Sequence, residues 1–145
     1  MAKRTASAAG GILAEPKWAQ LLPDKGERAA AQEQWRAIAA EMRERETLSA
    51  ANSHALLRLV LAYVVYDRCS IKVAIDGLVT EPKADNPKAI ARLSIHYKAM
   101  AEAEKTAERL EAQLGLSPGR RGRVGKVTRK RERSAGADAF LGQRG

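Results

Sequence analysis

At 145 residues the chain is long enough for one modest domain with tails, and 4% aromatic content is low for a base-stacking surface, which argues against a single-strand-binding module. Its single cysteine, Cys69, excludes an internal disulfide and supplies no cysteine cluster for a metal, which fits a reducing compartment. The net charge of +9 is unevenly placed: residues 119–145 hold nine Lys/Arg against two acids, whereas residues 1–118 hold seventeen against fifteen. The globular part is therefore close to neutral and the C-terminal segment carries the field, which favours a polyanionic partner.

Residues 1–24 are rich in Ala, Gly and Pro and lack periodicity, so they read as a flexible N-terminal arm. Basic residues at Lys3 and Arg4 are followed by no apolar run, so no signal peptide is expected. The short island Trp18, Leu21 and Leu22 is expected to dock on the core or on a neighbour. A first helix is predicted from about Lys25 to Glu46, with Trp35, Ile38, Ala39 and Met42 on one face. The sign-alternating run Glu41 to Glu46 is its solvated side.

A second helix is predicted from about Ser49 to Ile75. Its middle, containing Leu56, Leu57, Leu59, Val60, Leu61, Tyr63 and Val64, is apolar almost all round. A helix of a small two-layer domain buries one stripe, so these residues are expected to meet a neighbouring copy. Residues 50–66 are still too short and interrupted to span about 30 Å of hydrocarbon, so a soluble intracellular protein is expected. Residues 76–86, with Gly77 and Pro82 as breakers, form the connection to a third helix from about Pro87 to Leu114. Two helices of similar length joined by a short connection imply an antiparallel hairpin, and no strand is expected.

The third helix ends at Leu114-Gly115-Leu116, and Ser117-Pro118 reads as an N-cap and first position of a short basic restart. Beyond it lie Arg120, Arg121, Arg123, Lys126, Arg129, Lys130, Arg131 and Arg133. Like charges this dense repel one another, so disorder is expected beyond about Val124. These eight cations are the one functional constellation, fitted to phosphate contacts on DNA or to docking on a protein. Base readout is not expected, because it needs side chains held rigidly in a groove.

Enzymatic readings fail on residue inventory. Gly119 to Lys126 only superficially matches a phosphate-binding loop, since Arg120 stands where the first glycine belongs and Val127 where Ser/Thr belongs. His54 and His96 sit on separate helices with no ligand-spaced partner, Cys69 reads as a small buried apolar group, and Asp67-Arg68 as a surface charge pair or an inter-subunit ion pair. No catalytic residue, metal site or cofactor is expected.

The ending Leu114-Gly115-Leu116-Ser117-Pro118-Gly119-Arg120-Arg121-Gly122-Arg123-Val124 resembles that of the small subunit of tailed-phage terminases. The resemblance spans roughly residues 16–124 and includes Pro16, Trp35, Leu48, Tyr63, Gly77 and Asn86-Pro87 in the family's order. One departure is Val64, where relatives often carry cysteine after the tyrosine, and the tail beyond Val124 does not align. The resemblance implies a non-catalytic ring oligomer in the host cytoplasm. Such a ring binds double-stranded viral DNA near a packaging start and delivers it to the large terminase subunit, which supplies ATPase and nuclease.

The resulting expectation is an all-α fold: a long antiparallel helical hairpin with a packing N-terminal helix, a core over 25–116 and a basic segment over 117–145. Two alternatives keep parts of it. One is a small helical DNA-binding regulator or nucleoid-type protein acting as a dimer; the other is an assembly adaptor whose tail binds an acidic protein surface.

Overall fold

The computed structural model describes residues 13–117. A short helix α1 (Trp18–Leu21) is followed by α2 (Lys25–Glu44), a 3-10 turn (Ala50–Asn52) and α3 (Ser53–Asp76). Two short strands, β1 (Val79–Thr80) and β2 (Arg92–Leu93), precede α4 (Ile95–Leu114).

Residues 13–24 pack against α2, as the Trp18, Leu21 and Leu22 island suggested, while residues 1–12 of the expected arm lie outside the described residues. Trp18 and Leu22 are buried, and the Trp18 ring meets Trp35 edge-on at 5.9 Å, while Leu21 stays 44% exposed. Glu15 secures this segment, its carboxylate accepting hydrogen bonds from Trp18 Nε1, Gln32 Nε2 and Arg36 Nε. Arg28 closes the turn into α2 by donating to the carbonyls of Leu22 and Pro23. The Asp24 carboxylate then caps α2, accepting from the Glu27 backbone N–H at 2.9 Å.

Both α2 and α4 pack on α3, which makes α3 the central helix. Leu56, Leu59 and Val60 are fully buried there, together with Met42 of α2 and Leu110 of α4. This is the physical reason that the middle of α3 is apolar almost all round: two neighbours within the same chain cover it.

The hairpin of α3 and α4 is antiparallel, but its connection differs from the sequence expectation. α4 begins at Ile95, not Pro87, with Ser94 as its cap accepting from the His96 N–H at 3.2 Å. Asn86 and Pro87 lie in turns, with Asn86 Oδ1 accepting from Lys88 N. In place of an extra two helical turns the chain folds back as a two-stranded sheet, pairing Val79 with Leu93 and Thr80 with Arg92. Strands of two residues are too short to leave an alternating pattern in the sequence. Gly77, at φ 83° and ψ 175°, ends α3 in a conformation almost confined to glycine.

Among the described residues no helix is long and apolar enough to cross a membrane. The eight basic residues from Arg120 to Arg133, the Pro118 restart and the predicted tail disorder lie outside the described residues.

Candidate nucleic-acid interface

The basic segment departs from a well-anchored root at the C-terminal end of α4. Gly115 takes the left-handed conformation (φ 71°, ψ 23°), as the helix-stop reading requires. Its N–H bonds to the Ala112 carbonyl and the Leu116 N–H to the Glu111 carbonyl, satisfying two carbonyls that the helix leaves open. Leu116 then packs against the core beside buried Leu114. The chain is thus turned off the helix axis and held by apolar contact before the arginines begin.

Two further contacts hold this root. Arg45, just past α2, forms an ion pair with Glu41 and donates from Nη1 to the Gly115 carbonyl at 3.3 Å. Tyr63 of α3 donates its hydroxyl to Glu111 of α4 at 2.5 Å. Burial first, then the bond to the Glu111 carboxylate, pushes the Tyr63 phenol far above its ordinary value, so it stays a donor. Arg45 and Glu41 are both partly exposed, so their pair is worth under about 1 kcal/mol and serves mainly to orient the junction.

The residues expected to join copies occupy two environments. Leu56, Leu59, Val60 and Val64 are buried inside the protomer. Leu57, Leu61 and Tyr63 are half-buried and pack against the same core, with Tyr63 tied to Glu111. Their apolar character is thus accounted for within one chain. Arg68 likewise forms a two-pronged ion pair with Glu27 of α2, both contacts at 2.7 Å, rather than waiting for a neighbour. Cys69 is buried, as its apolar reading required.

His54 and His96 stand in the first turns of α3 and α4, at opposite ends of the antiparallel hairpin and roughly 30 Å apart. Among the described residues no group of three His, Cys, Asp or Glu is placed to hold a metal ion. The grip of Arg45 on the Gly115 carbonyl was invisible in the sequence because it joins positions 70 residues apart; only the glycine stop signalled that the junction mattered.

A family model described as "Phage terminase, small subunit" matches residues 31–131, from within α2 through the Gly115 stop and all but the last of the eight cations. No curated protein and no solved structure matches the chain.

Proposed function

Because this chain belongs to the phage terminase small subunit family, we propose that it is a non-catalytic DNA-packaging subunit acting in the host cell. Assembled as a ring, it binds double-stranded viral DNA, recognises the packaging start and delivers the DNA to the large terminase subunit, whose ATPase and nuclease it regulates. The observation that carries this reading is the continuity of the family match across the helical core and the basic segment. A single tail of net +7 makes weak phosphate contacts; many tails on one assembly act at high effective concentration and bind tightly. Arg120, Arg121, Arg123, Lys126, Arg129, Lys130, Arg131 and Arg133 are the proposed phosphate-binding groups.

The test is duplex DNA binding across a salt series, for the full chain and for a chain lacking residues 119–145. Each phosphate contact contributes roughly −0.9 to the slope of log K against log salt. The full chain is expected to show a steep slope and the truncated chain a shallow one with weak retention. Unchanged retention at low salt after truncation would remove the tail from DNA binding and leave it as a docking segment for the large subunit.

A second reading is a small DNA-binding dimer. What favours it is the burial of Leu56, Leu59, Val60 and Val64 within one protomer, which removes the need for many copies to cover α3. The number of copies in solution separates the two.

A further inference from the structure

The far end of the hairpin is built as a finger with almost no core of its own. α2 begins beside Arg68, through Glu27, so the last two turns of α3 project past it. So do the connection and the first two turns of α4, and α1 folds back along α2 through the Trp18–Trp35 contact, leaving the finger uncovered. From residue 70 to residue 102 only Ser94 is buried. Yet seven large aliphatic residues stand there at 45–75% exposure: Ile71, Ile75, Leu78, Val79, Ile90, Leu93 and Ile95. Outside the finger, Leu21 is the one other large hydrophobic exposed to this degree among the described residues.

We propose that this finger is the surface on which one copy of the chain meets the next, the Ile71–Ile75 ridge of one seating in the Pro82, Ile90, Leu93 and Ile95 groove of its neighbour. The proposal rests on the reading that the chain assembles, and names where. Ile71 and Ile75 are four residues apart and so form one ridge on α3. The groove lies in the connection and the start of α4, lined by Pro82, Ile90, Leu93 and Ile95 with Arg92 and Lys98 at its side, and excludes the two α3 isoleucines. Ridge and groove thus use different residues of one protomer, which fits a head-to-tail contact. Seven aliphatic residues at this exposure present on the order of 800 Å² in all, which each protomer of a closed head-to-tail assembly would cover across its two contacts and which is more than an isolated surface patch usually shows. The charges around them are of both signs, Asp76, Glu81 and Asp85 against Lys72, Lys83, Lys88, Arg92 and Lys98, which suits self-association better than a partner of one charge. A two-stranded sheet of this length is also marginal alone and gains its stability when covered.

The experiment is the native mass of the full chain and of Ile75→Glu and Leu93→Glu, with Leu21→Glu as control and far-UV circular dichroism to report folding. The expected result is a loss of assembly to 15.7 kDa in each finger variant, with helix content kept, while Leu21→Glu matches the parent. Finger variants that keep the parent's oligomeric mass overturn the proposal and leave the assembly reading standing, including the case where they lose only binding to the large terminase subunit. A parent that is itself 15.7 kDa overturns the assembly reading and the proposal with it. Should a finger variant lose helix content, hydrogen exchange of the parent decides. Protection over residues 70–102 that falls on dilution supports the proposal, and protection independent of concentration overturns it.

Discussion

At the residue scale, two glycines and one carboxylate set where the chain turns and how its N-terminal segment stays down. No heavy atom lies within 4 Å of where a Cβ on Gly77 would stand, so the cost of Gly77→Ala is purely conformational. That substitution is expected to destabilise the protein by about 1–3 kcal/mol in denaturant titration, with helix content unchanged in the folded state. Glu15 has its carboxyl held below the ordinary value of 4.5, first by the hydrogen bond from Gln32, then by Arg36 and Trp18, against the opposing effect of burial. A lowered carboxyl adds stability that is present above its unfolded value and lost as pH falls through the folded one. Acidification below about pH 4.5 is therefore expected to loosen residues 13–22. Emission from Trp18 and Trp35 should shift as the two rings gain water, and Glu15→Gln should remove most of that pH dependence.

Legibility in the sequence followed the range of each interaction. The Gly115 stop, the Gly77 break and the Trp35–Met42 face were readable because each depends on residues within one or two turns. The Glu15 carboxylate bridges to Gln32 and Arg36, and Tyr63 to Glu111, across distances along the chain that no local pattern encodes.

At the element scale, α3 is decisive because it is shared. Leu59 is fully buried and apolar neighbours approach it from within the protomer. Leu59→Ala is expected to cost about 2–5 kcal/mol, the transfer loss plus the cavity left behind. The same change at exposed Leu21 is expected to fall within about 0.5 kcal/mol. A helix between two partners and a helix at an oligomer interface produce the same apolar pattern, so periodicity alone could not separate them. The start of α4 was missed for a related reason. Asn86-Pro87 is a good local helix start, but Ser94 is the cap used, and the residues between are spent on turns and on pairing β2 with β1.

At the scale of the whole molecule, the hairpin has two unlike ends. Its base gathers Arg45, Glu41, Tyr63 and Glu111 around the point where the basic segment departs; its tip carries the aliphatic finger. Along α3, Tyr63 at the base and Ile75 at the tip are twelve residues apart, about 18 Å of helix. This division puts the proposed assembly contact at one end and the root of the basic segment at the other.

The central claim is that several copies act together, and the native mass of the intact chain at moderate salt tests it most directly. The account predicts one discrete species at many times 15.7 kDa across micromolar concentrations. A monomer or a dimer over the same range would contradict it and favour the small DNA-binding regulator.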